Sequence, residues 1–200
     1  MAEQIEKVEA LPLIVKRRIL GIAIPAVNLP LFILNVNQII IMVQEGTPTN
    51  SLDFLNGIMI SVITFLLCFG LPQWVPVYQS NYVLNTNELR LSRFLRSSRA
   101  LAYKNIERAE VYIRESDEIR EDAIKYAKDS SEHLRKLGFK FEDYTNSESN
   151  IALIFVKNRI YMLSPAKPKS FIKSLKKRVP KLTAKIVELS VNGKVVQELV

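Results

Sequence analysis

The chain has one thiol, Cys68, and one imidazole, His133. Covalent catalysis by a Cys–His pair needs the two brought together, and the common zinc sites need several such ligands. One of each excludes those zinc sites and a disulfide framework. Cys68 lies in an apolar run, where a small packing residue is the default reading. His133 stands between Glu132 and Leu134 in a charged stretch and is assigned no role. Gly21, Gly46, Gly57, Gly70, Gly138 and Gly193 are dispersed, so no glycine-rich loop is present to cradle a phosphate. No GxSxG, HExxH, CxxC or Walker sequence occurs. The acidic pairs Asp117/Glu118 and Glu121/Asp122 sit beside Arg120 and Lys125, a pattern of solvated surface pairing. These residues give no constellation for an enzyme, a metal or a cofactor.

The remaining chemistry is cationic and falls into two sets. Arg90, Arg93, Arg96 and Arg99 recur every three residues, and Lys167, Lys169, Lys173, Lys176, Lys177, Arg178 and Lys181 crowd a second segment. Such clusters suit anions, and beside a membrane each cation gains about 1 kcal/mol from an anionic leaflet. Arg93, Arg96, Arg99, Lys167, Lys169, Lys173, Lys176 and Lys177 are therefore candidates for binding a lipid headgroup or another anion. A solvated basic face with ordinary positive-inside bias accounts for them equally well. Nucleic acid is not expected, because neither an RNA-recognition signature nor a recognition-helix pattern accompanies the charge.

What positions these cations is legible in where charge is absent. The 200 residues carry a net charge of +8, yet no Asp, Glu, Lys or Arg occurs between Arg18 and Glu45 or between Asp53 and Glu88. The first gap, Ile19 to Gln44, extends about 39 Å as a helix, enough to cross a hydrocarbon core of about 30 Å. The second apolar run, Leu55 to Tyr78, is also long enough. A cleavable signal peptide is a poor fit to the first run, which is too long and lacks a small-x-small site after it. Asn28 and Asn35 lie seven apart on one helical face and are expected to pack against the second helix with their amides hydrogen-bonded across to it, and Pro25 and Pro30 to kink the first. Lys16, Arg17 and Arg18 flank the first span while the loop between the spans has no Lys or Arg, which predicts both termini in the cytoplasm at the cell membrane. Trp74, Tyr78 and Tyr82 are expected as interfacial anchors.

The residues after Ser80 hold 24 of the 28 Lys and Arg and 15 of the 20 Asp and Glu, a surplus of nine positive charges. Their pattern is mainly strands: a hairpin turning at Asn85-Thr86-Asn87, a strand to Leu95, a polar turn at 96–99, and an alternating strand at Arg108 to Arg114. Ser116 to Leu137 reads as an amphipathic helix stopped by Gly138. Ile151 to Val156 is a continuous apolar strand that turns at Lys157-Asn158-Arg159. Pro168 opens a helix with Phe171, Ile172, Leu175 and Val179 on one face, and Asn192-Gly193 marks a C-terminal hairpin. The expected division is 1–18, a cytoplasmic segment; 19–79, a two-helix transmembrane hairpin; 80–181, an α+β domain with a capping helix; and 182–200, a hairpin extension.

Three pieces carry a family likeness: YVLNTNELRL, LAYKNIERAEV with Tyr103, Ile106 and Ala109 in register, and YMLSPAKPKSFIKSL through Ser164, Pro165, Pro168 and Phe171. In their order, and following a helical hairpin, they resemble the prokaryotic membrane-anchored pleckstrin-homology-like domains. The resemblance implies a PH-like β-barrel or sandwich closed by a C-terminal helix. The family usually places acidic residues around the second proline, where this chain has Lys167 and Lys169. Cations at a helix N-terminus cost about 0.3–1 kcal/mol each, a cost that something anionic nearby could offset. The function expected is a non-enzymatic, double-spanning membrane protein whose domain mediates protein interaction or self-assembly. Recognition of anionic membrane lipid and service as an accessory subunit of a larger membrane complex are the alternatives.

Overall fold

The computed structural model describes residues 5–114, 132–190 and 193–199. It is a mixed α+β structure of two compact units, Ile14–Tyr78 and a second built from Met1–Leu13 with Gln79–Val200.

The first unit is a helical hairpin. Helix α1 runs Val15–Gln44, one turn earlier than the apolar run alone indicates, taking in Lys16 to Arg18. Helix α2, Leu52–Phe65, starts at a Ser51 N-cap whose hydroxyl accepts the Phe54 N–H at 3.3 Å. It continues through one π-helical stretch, Leu66–Gly70, into the short α3, Leu71–Trp74. The helix stops where Val75 precedes Pro76 and is forced out of helical conformation. Both helices are long and apolar enough to cross a membrane. Reduced exposure recurs along α1 at Gly21, Pro25, Asn28, Phe32, Asn35, Ile39 and Met42, flanked by Arg17, Ile24 and Val36, and along α2 onward at Phe54, Gly57, Ser61, Thr64, Cys68 and Pro72, flanked by Leu67, Gly70 and Leu71. Alternating steps of three and four describe two helices meeting along coiled-coil stripes. Small residues dominate the second stripe and let the backbones approach: a Cβ on Gly57 would lie 3.2 Å from Ile39 Cγ1.

Asn28 and Asn35 lie on that stripe, but their amides donate to Ile24 O at 2.9 Å and Leu31 O at 2.8 Å, one turn back in their own helix. The expected hydrogen bonds across to α2 are therefore replaced by local ones. Pro25 has no N–H to give to Gly21 O, and the Tyr78 hydroxyl donates to that carbonyl instead, at 3.1 Å. Gly21 is required there, since a Cβ would sit 2.6 Å from Val77 O.

The second unit holds two sheets, of four strands in the order β1-β2-β3-β4 and six in the order β10-β9-β5-β7-β8-β6; they form no closed barrel. The first comprises β1 Glu6–Val8, β2 Ser80–Leu84, β3 Glu88–Arg93 and β4 Arg96–Ala102, all antiparallel. The segment 96–99, read from sequence as a turn, is the start of β4. Its residues are mostly exposed on an edge strand, so no apolar alternation marks it, and the actual turn is Phe94-Leu95, with Leu95 at φ 59°. Strand β1 pairs with β2 through Glu6↔Leu84 and Val8↔Tyr82, across the whole helical hairpin in sequence.

The second sheet comprises β5 Ile106–Arg114, β6 Lys140–Asp143, β7 Ile151–Val156, β8 Arg159–Leu163, β9 Thr183–Ser190 and β10 Gly193–Leu199. Strand β9 lies in the sheet's interior, parallel to β5 and antiparallel to β10, so the C-terminal hairpin is built into the domain. The hairpin's turn, 191–192, and most of the helix expected at 116–137 lie outside the described residues. Residues 132–136 are helical and end in a Schellman motif, with Gly138 at φ 86°, Gly138 N–H on Arg135 O and Phe139 N–H on Leu134 O.

One core, from Leu84, Leu89 and Leu91 through Val111 and Ile154 to Ile172 and Leu175, draws on both sheets and on helix α4, Pro168–Arg178. A smaller cluster of Tyr112, Leu153, Phe155, Ile160, Val187 and Leu189, joined by Leu134 and Phe139, lies apart from it. Burial on both faces explains why Ile151 to Val156 is apolar throughout instead of alternating.

A buried polar knot joins the segments. Asn146, fully buried, accepts the Ser80 N–H at 2.7 Å and donates to Ser80 O and Leu11 O, both at 3.0 Å. Ser164 Oγ accepts the Asn146 N–H at 2.7 Å, and the Tyr82 hydroxyl donates to Tyr144 O at 2.7 Å while accepting the Ser164 N–H at 3.1 Å. Leu11 N–H donates to Ser164 O, and Ala166 N–H to Glu9 O. Tyr82 is thus an inward residue of β2, not an interfacial anchor. Replacing Asn146 with Ala strands three buried backbone groups and is expected to cost about 2–4 kcal/mol. Thermal unfolding of the purified protein in mild detergent measures this; an undiminished transition temperature would show that the knot does not depend on Asn146.

Candidate functional site

The first cationic set converges on one carboxylate. Period-two alternation in β3 buries Leu89 and Leu91 and carries Arg93 inward with them, leaving it 4% exposed. Its Nη1 donates to Asp143 O at 3.1 Å, and Arg96 Nη1 donates to the same carbonyl at 3.0 Å. Glu142, a buried position of β6, then collects the neighbours: Arg96 Nη2 donates to Oε2 at 3.0 Å, Arg99 Nε lies 3.5 Å from Oε2, and Arg159 Nη1 donates to Oε1 at 2.7 Å. The Asp143 carboxylate is turned away, accepting the N–H and hydroxyl of Thr145, both at 2.7 Å.

The fully buried Tyr144 floors this cluster. The Arg96 guanidinium stands 4.3 Å above its ring centroid and that of Arg93 5.5 Å, cation–π contacts between a desolvated ring and partly desolvated cations. Burial pushes the Tyr144 phenol up, with Glu142 adding to the rise and the arginines opposing it. Among the described residues its hydroxyl has no hydrogen-bond partner. The bond to Glu142 holds Arg159 even more firmly protonated than usual, and burial likewise raises Tyr161.

Of the arginines nominated from sequence, Arg93 is therefore enclosed and Arg96 is 18% exposed with both terminal nitrogens engaged. Only Arg99, 48% exposed, remains open to an external anion, and it is joined by Arg159, 43% exposed, which the spacing argument missed. The signal for Glu142 and Arg159 is non-local: they meet because β6 pairs in parallel with β8.

The second set divides in the same manner. Lys167 pairs with Glu9 at 3.3 Å and Lys169 with Glu188 at 2.5 Å, the anionic partners that cations at a helix N-terminus require. Lys176 donates to Leu182 O at 2.7 Å, and Arg178 pairs with Glu6 at 2.9 Å. Lys173, Lys177 and Lys181 are exposed and have no ion-pair partner among the described residues. A depression of about 190 Å³ between β1 and α4 is lined by Glu6, Lys7, Glu9, Lys167 and Phe171, groups of both signs that largely pair with one another. Trp74 is 82% exposed and Tyr78 half-buried on α1.

Among the described residues no three of His, Cys, Asp and Glu approach closely enough to hold a metal ion. No family model, curated protein or solved structure matches the chain.

The buried phenols make the domain sensitive to alkali. Burial raises Tyr82, Tyr144 and Tyr161 above the ordinary value of 10.0 and pushes Tyr103 up to about 12. In the unfolded chain these groups ionise near pH 10, so the folded state alone retains their protons above it. Stability from their burial is complete below about pH 10 and drains away as pH rises toward 12. The transition temperature should therefore be flat from neutral pH to about 10 and fall steeply above it. Tyrosinate absorbance is expected to appear together with unfolding; full phenol ionisation in a still-folded protein would contradict this.

Proposed function

We propose that this is an integral membrane protein, anchored by a two-span hairpin, whose cytoplasmic PH-like domain is a non-enzymatic module for self-assembly. Membrane anchorage rests on the outer surface of α1 and α2, where Ile22, Ile33, Leu34, Leu55 and Val62 are exposed over lengths that match a bilayer. The pairing of β1 with β2 supports two crossings, because strands in one sheet lie on one side of a membrane and an even number of spans must separate them. Lys16, Arg17 and Arg18 argue that this side is the cytoplasm. For the PH-like reading, the support is two sheets around one core, with α4 opened by the Ser164, Pro165 and Pro168 series.

Self-assembly is carried by β10. It is one edge of the six-stranded sheet, and although Leu199 packs against the core, the consecutive residues Val195 and Val196 are 62% and 47% exposed, so neither face is covered at the strand's middle. An uncovered apolar edge is a template for another strand. The occupant we assign is a second copy, since antiparallel pairing of β10 with itself about Val196 sets that exposed apolar residue opposite its own copy.

The free stripe Lys173, Lys177 and Lys181 supports a second, compatible reading, attraction of the domain to an anionic leaflet.

Val196→Lys sets two cations directly opposite across the pairing axis. The parent protein in mild detergent is expected to sediment as a dimer, and the variant as a monomer with an unchanged transition temperature. A parent that is strictly monomeric at all concentrations would sink the self-assembly reading.

A further inference from the structure

The cluster on Glu142 is out of electrostatic balance. Arg96, Arg99 and Arg159 bring three guanidinium charges to one carboxylate, while Arg93 and Asp143 add one charge of each sign. Two positive charges remain in excess where Tyr144 and the strands around it limit solvation. The excess is not spread evenly. Arg96 is committed to Glu142, to Asp143 O and to the Tyr144 ring. Arg99 spends one contact on Glu142, Arg159 one on Glu142 and one on Tyr161, and both side chains are about half exposed, with five N–H donors each to satisfy.

Glu142 holds these two side chains on its two different oxygens, Arg159 on Oε1 and Arg99 on Oε2. Both guanidinium groups are thereby held beside one carboxylate. They come from β4 and β8, so rigid strands, not a loop, set the pair. Holding long side chains in place beforehand removes much of the ordering cost of binding. Lys157 and Lys140, both exposed, flank Arg159 through the β7–β8 turn, where Lys140 N–H donates to Asn158 O. They add attraction at longer range.

We propose that Arg99 and Arg159, positioned by Glu142, form a binding site for a phosphate group, carried by a lipid headgroup or by a free phosphate. Planar forks with several donors suit phosphate oxygens better than a point charge does. Arg93 and Arg96 act as supports of the site, and Glu142 is its positioning residue. The site is independent of β10 and of the lysine stripe on α4, so it stands or falls apart from the self-assembly and leaflet readings.

The test titrates the full-length protein in mild non-ionic detergent with inorganic phosphate, and separately with short-chain phosphatidic acid, at constant ionic strength set with chloride. Binding is read calorimetrically and as a rise in transition temperature. The double variant R99Q/R159Q is expected to bind at least about tenfold more weakly, since it loses both charge-assisted partners of the phosphate. Its ligand-free transition temperature should remain near that of the parent, because Arg96 still neutralises Glu142. Should it fail to fold, R99Q alone, which gives up only the longest contact, carries the same comparison. K173Q/K177Q/K181Q is expected to bind like the parent. Saturation by inorganic phosphate identifies the free anion as a sufficient ligand, and saturation by phosphatidic acid alone identifies the headgroup. Binding of neither probe, or equal binding by parent and R99Q/R159Q, would overturn the proposal.

Discussion

Asn146 solves a problem set by the order of the chain. The domain is discontinuous: strand β1 belongs to it, yet the helical hairpin intervenes before β2. Closing so long an intervening segment carries an entropic cost that three β1 residues cannot offset alone. Asn146 adds what a further strand pair would have supplied. Its amide occupies both the N–H and the C=O of Ser80, where the chain returns, and reaches Leu11 O, where the chain departs. Ser164 and Tyr82 fix Asn146 in turn, and the same Ser164 backbone pairs with Leu11 and leads into α4. A buried network of this kind specifies one arrangement, because any slip leaves several polar groups unpaired at once. Departure point, return point, the β6–β7 connection and the start of the capping helix are thereby set against one another.

The helical hairpin meets the same requirement by its own means. Residues 77 and 78 come back onto α1 beside Gly21, close to that helix's beginning, and Tyr78 completes the carbonyl that Pro25 leaves open. Its two ends are thus drawn together by internal packing. The segment Leu66–Gly70, where the hydrogen-bond ladder widens, keeps Cys68 on the α1-facing stripe after Thr64 and delivers Pro72 to the same side. Polar residues on the stripes are satisfied locally: Thr64 donates to Ile60 O at 2.8 Å, and Asn28 and Asn35 bond carbonyls one turn back. The outer surface can therefore remain largely apolar, with Asn37, Gln38 and Asn56 among its exposed polar exceptions.

Legibility in the sequence tracks how local each cause is. The two helices followed from charge-free runs and the turn at Lys157-Asn158 from its residues, whereas Arg93, nominated from sequence for an external anion, is set inward by its phase with Leu89 and Leu91. The cost of Lys167 and Lys169 at a helix start was also local, and it pointed to the anions that Glu9 and Glu188 provide. Features made by distant pairing left no such trace. Strand β1 is three residues of mixed polarity, β4 is an exposed edge without alternation, and β9 is recognisable as a strand but not as an inner one. Tyr82 has the residue type of an interfacial anchor, and only its phase with Leu84, both inward in β2, gives away its burial.

The arginine cluster shows why even spacing does not give its members one role. Three-residue spacing in a hairpin crosses a turn, so Arg93 and Arg96 face each other as a register pair on adjacent strands while Arg99 lies farther along β4. Burial then sorts them, because a guanidinium that is enclosed must bond to whatever acceptor lies beside it, and Asp143 O and Glu142 lie beside Arg93 and Arg96. The enclosed pair becomes structure, and the outlying arginine keeps its donors. A carboxylate placed among such cations does more than neutralise one of them: by dividing its oxygens between Arg99 and Arg159 it brings together cations from strands that are far apart in sequence. The capacity to receive an anion thus arises from an acidic residue that composition alone would count against it.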